Sequence, residues 1–169
     1  MGKIICVLTL ALTPLVFTKI WGQDTIRYIY VGAETCAGKC HNNEELGHQY
    51  DSWRNSRHSK SYESLNTEKA LVYFKKAGLT GSPGESFTCL KCHVTAAGYD
   101  ALSLGSTYKK EDGVTCESCH KGEFIPKTFL PKEADCLKCH SNSVHEVTAF
   151  DFIERCLKLS HPRPKTKQE

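Results

Sequence analysis

Cys89-Leu-Lys-Cys92-His93 is the stretch that decides how this chain folds, because the same pattern occurs four times. The other copies are Cys36-Ala-Gly-Lys-Cys40-His41, Cys116-Glu-Ser-Cys119-His120 and Cys136-Leu-Lys-Cys139-His140. Paired cysteines at this spacing form thioethers with the two vinyl groups on one edge of a haem, and the adjacent imidazole then reaches the iron. The motifs predict four covalently attached haem c groups, eight cysteines that attach them and four proximal histidines. Lys39 gives the first motif one extra residue between its cysteines.

Ten cysteines and eight histidines stand against a single methionine among 169 residues. This composition argues against a cytosolic enzyme with an ordinary aliphatic core and leaves haem, zinc or disulfides. Two Cys₄ zinc sites would use the four pairs but would not explain the histidine after each. Disulfides across two residues are more typical of redox motifs than of structural scaffolds. Haem is therefore favoured, and the other two remain alternatives.

The first 22 residues resemble a secretory signal peptide. Lys3 precedes an apolar stretch that runs to Phe17, and the small residue Gly22 comes before polar residues. The stretch is shorter than the roughly 18 to 20 apolar residues that span a bilayer. We expect cleavage near Gly22, a tetrahaem cytochrome c domain over residues 23–169, and a periplasmic or extracellular location.

The fold class predicted is mainly α with extensive irregular loops, a small multihaem cytochrome c fold organised around its haems. Helices are expected over residues 44–56 and 67–77, the second with Thr67 as N-cap and with Ala70, Leu71, Phe74 and Ala77 on one face. A third is expected within residues 150–159, with Cys156 as a small buried hydrophobic residue. Because so little regular structure cannot bury a core alone, we expect the haems to form most of it.

Four histidines lie outside the motifs and are candidate distal ligands: His48, His58, His145 and His161. His58 follows the aromatic Trp53, and His161 ends the last predicted helix just before a proline. His145 comes only five residues after His140, so it could reach a neighbouring haem but hardly its own. His48 lies near the start of an exposed-looking helix. Each is a possible sixth ligand to an iron.

Several segments together resemble the tetrahaem cytochrome c554-type proteins, which are periplasmic electron-transfer cytochromes. They are Tyr30-Val-Gly-Ala-Glu-Thr-Cys36, Trp53-x-x-Ser-x-His58-Ser-Lys-Ser-Tyr62, Cys89-Leu-Lys-Cys-His-Val-Thr95, Gly113-Val-Thr-Cys-Glu-Ser-Cys-His120 and Phe150-Asp-Phe with His161-Pro. The resemblance covers most of the chain after residue 22. The best-studied member of that family accepts electrons from hydroxylamine oxidoreductase.

The resemblance implies that His41, His93, His120 and His140 are proximal ligands and that His58 and His161 match family histidines. It implies that the histidine after the first motif is the distal ligand of the fourth haem. It also implies one haem whose sixth position holds no histidine, for which the haem on His93 is the candidate. Lys121-Gly-Glu-Phe124 departs from the Gly-Pro-Gly stretch often found after the third motif.

Three functions compete. An electron carrier needs only close haems and an exposed edge, and it implies redox protein partners: an oxidoreductase donor and a cytochrome or quinol-linked membrane acceptor. A reductase of a small nitrogen or oxygen species needs an open iron and proton donors, for which the candidates are Tyr99, Lys109, Lys110 and Asp112. A subunit of an extracellular filament would self-associate, with His48 or His161 binding a neighbour's iron.

The carrier is favoured because the chain has motifs for haem attachment and none for a substrate. No nucleic-acid partner is expected. The formal net charge is only +3, and the one basic cluster is the short tail from His161 to Lys167.

Overall fold

The computed structural model describes residues 28–38, 47–120, 131–141, 145 and 150–160. In these ranges the chain forms seven short α-helices, three 3₁₀ turns and no strand, apart from a single parallel bridge between Tyr30 and Leu104. The α-helices are α1 Ala33–Ala37, α2 Gln49–Arg54, α3 Glu68–Lys76, α4 Phe87–His93, α5 Cys116–Cys119, α6 Glu133–Leu137 and α7 Phe152–Leu159. The 3₁₀ turns are Glu63–Asn66, Ala101–Ser103 and Lys110–Asp112. The prediction of a helical, loop-rich chain is confirmed for this part of the protein.

The predicted helix over residues 44–56 is correct only in part where the structure describes it, because helix α2 covers only Gln49–Arg54. Gly47 and His48 have φ angles of 94° and 51°, in the left-handed region, so a right-handed helix cannot pass through them. Helix α2 starts only at Gln49, and residues 44–46 lie outside the described ranges.

Both ends of helix α3 lie close to where the sequence predicts them. Thr67 Oγ1 accepts a hydrogen bond from the Ala70 amide at 3.2 Å, which confirms the predicted N-cap. At the other end Gly78, with φ 71°, donates to the Lys75 carbonyl, and the next amide donates to the Phe74 carbonyl. This pair of bonds is a Schellman motif, and the left-handed backbone that it requires favours glycine.

The buried apolar side chains of the described residues are few: Tyr30, Ala33, Leu65, Phe74 and Val94. Of the predicted apolar face of α3, Phe74 is only 3% exposed, whereas Leu71 is 42% exposed and Ala77 is also exposed. The prediction of one buried face is therefore correct only in part. Among the helices and turns that the structure describes, the turn Glu63–Asn66 makes the most extensive contact with α3.

Candidate haem-binding sites

The second motif lies on one short helix. Helix α4 holds Cys89 and Cys92, both half-buried and both free thiols, and it ends at His93. The Nδ1 atom of His93 lies 2.8 Å from the Ser61 carbonyl oxygen, so it is the protonated nitrogen that donates to this acceptor. Nε2 then keeps its lone pair, and metal-binding histidines in proteins are commonly held in this way.

The fourth motif starts in α6 and ends in a turn. The amides of Cys139 and His140 both donate to the Cys136 carbonyl, at 3.1 and 2.9 Å. The His140 ring stacks on Phe150, with 4.8 Å between ring centroids and 20° between planes. The imidazole is therefore held at one defined place beside its two cysteines.

The third motif forms α5, after which the His120 amide donates to the Cys116 carbonyl at 2.8 Å. Of the first motif, the structure describes Cys36 at the end of α1. Cys40 and His41 lie outside the described residues, as does the distal candidate His161.

A buried carboxylate joins the third motif to the segment that leads into the first. Glu117, between the two cysteines of its motif, is only 4% exposed. Its Oε1 accepts from the Tyr28 hydroxyl at 2.6 Å and the Val31 amide at 2.9 Å, and its Oε2 accepts from the Gly32 amide at 2.8 Å. Sequence reasoning missed this role, although a carboxylate inside a motif of otherwise small side chains was visible.

The motifs come together in pairs. Helix α1 packs on α5, which places the thiols of Cys36 and Cys116 near each other. Their interaction lowers the pKa of Cys36 and, together with burial, raises the pKa of Cys116. The first and third motifs are therefore neighbours.

The second and fourth motifs contact each other reciprocally. Cys92 Sγ lies 3.9 Å from the Lys138 carbonyl oxygen, and Cys139 Sγ lies 3.9 Å from the Lys91 carbonyl oxygen. Neither pairing could be read from the sequence, because the partners are tens of residues apart.

Two pairs of histidine rings lie at similar distances and angles to each other. The ring centroids of His58 and His140 are 6.0 Å apart, and those of His93 and His145 are 6.2 Å apart. Two imidazoles that bind one metal ion from opposite sides have centroids about 6.3 Å apart, given a metal–nitrogen distance of about 2.0 Å. Burial lowers the pKa of His58, His93 and His140, which favours the neutral form that binds metal.

No curated protein and no solved structure matches the chain. A family model does match, that of cytochrome c554 and c-prime, over residues 35–121. This segment is slightly more than half of the chain, and it contains the first three motifs. The chain belongs to the cytochrome c554 and c-prime family.

Membership of this cytochrome c family implies covalently bound haem c and a part in electron transfer. Proteins of the family are typically exported. The described helices include none that is long and apolar enough to cross a membrane.

The residues of the second motif fit the haem c that a cytochrome of this family carries. Two thiols lie on one helix, and the following imidazole has its Nδ1 engaged by the Ser61 carbonyl. The zinc alternative has no counterpart in the described ranges, where no three cysteine, histidine or acidic side chains converge as a metal-ion cluster. The eight cysteines there form no disulfide.

The other singled-out residues have different surroundings. His48 Nδ1 lies 3.3 Å from Asp51 Oδ2 on an exposed face. Cys156, on α7, is half-buried rather than buried as predicted. It is one of the groups, after burial, that raise the pKa of the Cys119 and Cys136 thiols.

Three of the proton donors suggested for a reductase make contacts with other side chains. Lys109 forms an ion pair with Glu34 at 2.7 Å, whereas Lys110 lies over the Tyr62 ring. The Tyr99 ring packs against that of Tyr30.

Proposed function

We propose that this protein is a periplasmic tetrahaem cytochrome c that carries electrons one at a time between redox partners. The observation that carries the proposal is the pairwise contact between motifs, first with third and second with fourth. Bound haems would supply one-electron sites, and the protein's task is to hold such sites close together.

The contacts between motifs support an arrangement in which each haem-attachment motif lies next to another, so that the four form one row. The packing of α1 on α5 brings the first motif to the third, and the Cys92 and Cys139 contacts join the second to the fourth. Burial and, to a smaller extent, Cys136 raise the pKa of the Cys119 thiol, which supports an approach of the fourth motif to the third. The sites would follow one another in the order first, third, fourth, second.

The attachment residues proposed are the eight motif cysteines, with His41, His93, His120 and His140 as proximal ligands. The 6.0 Å gap between His58 and His140 supports His58 as the distal ligand of the fourth haem. His161 remains a candidate for another iron. This set needs no catalytic acid or base, in keeping with a carrier. Its partners would be an oxidoreductase donor and a cytochrome or quinol-linked membrane acceptor.

Haem counting tests the proposal. The pyridine haemochrome assay on the exported protein should give four haems per chain, and Cys136→Ala/Cys139→Ala should give three. The matched control is Cys156→Ala, which removes a thiol outside the motifs and should leave four. A wild-type count of zero with bound zinc, or an equal loss in the control, would contradict the assignment.

Electron transfer and location need their own measurements. Fractionation should place the protein in the periplasm with residues 1–22 removed, as shown by the mass of the intact chain. A redox titration of the purified protein should take up four electrons per chain. Retention in the cytoplasm, or uptake of fewer electrons than haems counted, would contradict the carrier.

A further inference from the structure

We propose that His145 is the second axial ligand of the haem attached by the second motif, on the side opposite His93. This inference rests on the proposed function, because it needs that haem in place. It gives a histidine to the site where the resemblance had implied an open position.

The spacing of the two rings carries the inference. The centroids of His93 and His145 are 6.2 Å apart with 60° between planes, almost the same geometry as in the pair His58 and His140. Two imidazoles on one iron can adopt any angle about the axis that joins them, so the tilt is compatible with shared ligation. The Ser61 carbonyl already engages His93 Nδ1, which leaves Nε2 as the nitrogen that can face a metal.

The path of the chain explains why a histidine so close to the fourth motif serves the second. Five residues separate His145 from His140, a reach of up to about 16 Å. The fourth motif lies against the second through Cys139 and Lys91, so the crossing is short. The fourth site already has His58 as its proposed second ligand, 6.0 Å from His140.

The Tyr73 ring also packs against His145. The two rings are 5.4 Å apart at their centroids and tilted by 36°. Tyr73 lies on α3, whose ends are fixed by the Thr67 cap and the Gly78 turn. We therefore assign Tyr73 as a positioning residue that acts on the haem through His145.

The test measures the spin state of the ferric holoprotein by electron paramagnetic resonance, with haems counted in the same samples. His145→Ala should retain four haems and show one more high-spin iron per chain than the wild type. His145→Met, which offers a thioether in place of the imidazole, should raise the reduction potential of one haem. Tyr73→Ala should shift part of that iron to high spin, and the matched control Tyr73→Phe, which keeps the ring, should not.

A further variant identifies which iron is involved. Cys89→Ala/Cys92→Ala removes the attachment of the second haem and should reduce the count from four to three. In that background His145→Ala should create no further high-spin iron. A new high-spin signal there would show that His145 binds a different iron and would overturn the assignment.

Comparison of the wild type with Cys89→Ala/Cys92→Ala also decides the question if the His145 variants do not fold. A high-spin signal in the wild type that disappears in Cys89→Ala/Cys92→Ala would show an open second haem and refute the inference. Four haems with no change of spin state in His145→Ala would refute it too, while leaving the carrier function intact. A count of no haem would instead overturn the proposed function.

Discussion

Replacing Glu117 with glutamine should destabilise the protein far more than its place in the sequence, between two motif cysteines, would indicate. The carboxylate accepts three hydrogen bonds, from the Tyr28 hydroxyl and the amides of Val31 and Gly32, and it is 4% exposed. Glutamine keeps the shape of the side chain. An amide oxygen in the place of Oε1 still accepts two of the bonds, but the NH₂ group then faces the Gly32 amide, donor against donor.

The magnitude follows from these contacts. A buried donor left without an acceptor costs about 1–3 kcal/mol, and the two surviving bonds weaken because the acceptor has lost its charge. We expect Glu117→Gln to lower the free energy of unfolding by about 2–4 kcal/mol. Tyr28→Phe, which removes one donor and leaves the carboxylate bonded to both amides, should cost about 1–2 kcal/mol.

The assay is urea unfolding of the holoprotein, followed by far-ultraviolet circular dichroism and by haem absorption. The matched control is Glu34→Gln on α1, whose carboxylate pairs with Lys109 in solvent and should contribute nothing measurable. A double-mutant cycle between Tyr28→Phe and Glu117→Gln should give a non-zero coupling energy, because the two side chains share a hydrogen bond. Equal midpoints for Glu117→Gln and Glu34→Gln would refute the reasoning.

Two further changes test other parts of the fold. Gly113→Ala should destabilise the protein for two reasons: φ is +69° at this position, and an added Cβ would lie 2.6 Å from the His58 carbonyl oxygen and 2.5 Å from Ser61 Oγ. A thermal unfolding midpoint equal to that of the wild type would contradict this. Burial, with nearby carboxylates, raises the pKa of Tyr108 to about 12, above its usual value near 10. The neutral phenol is thus favoured in the folded state. Its contribution to the stability of the fold is complete below about pH 10 and is lost as the pH rises through 12. Urea midpoints should fall across that interval and fall less in Tyr108→Phe; identical slopes would contradict the assignment.

The parts of the structure that the sequence predicts are local. The ends of α3 depend on Thr67 and Gly78, whose capping chemistry involves neighbours within a few residues. The motif helix α4 likewise follows from a compact stretch that ends at His93. By contrast, the break at His48 was missed, because a histidine in the left-handed region has no clear sequence signal.

The long-range arrangement could not be predicted, since nothing in a motif specifies its neighbour. The pairing of Cys36 with Cys116 joins residues far apart in the chain, and so does the contact of Cys139 with Lys91. The buried face of α3 was only partly predicted for the same reason: Leu71 is apolar, but whether it is covered depends on which distant segment packs there.

Polar contacts position these sites where apolar packing is sparse, and one serine links two of them. Ser61 accepts from His93 Nδ1 through its carbonyl, while its hydroxyl lies 2.6 Å from the His58 carbonyl oxygen and 2.8 Å from that of His93. The same hydroxyl accepts from the Val114 amide at 3.0 Å, just before the third motif. Hence His93 and His58, the proposed proximal ligand of the second site and distal ligand of the fourth, are both held by one residue. Since a displacement at one ligand would move the segment that carries the other, we expect the two haems to respond together to changes at Ser61.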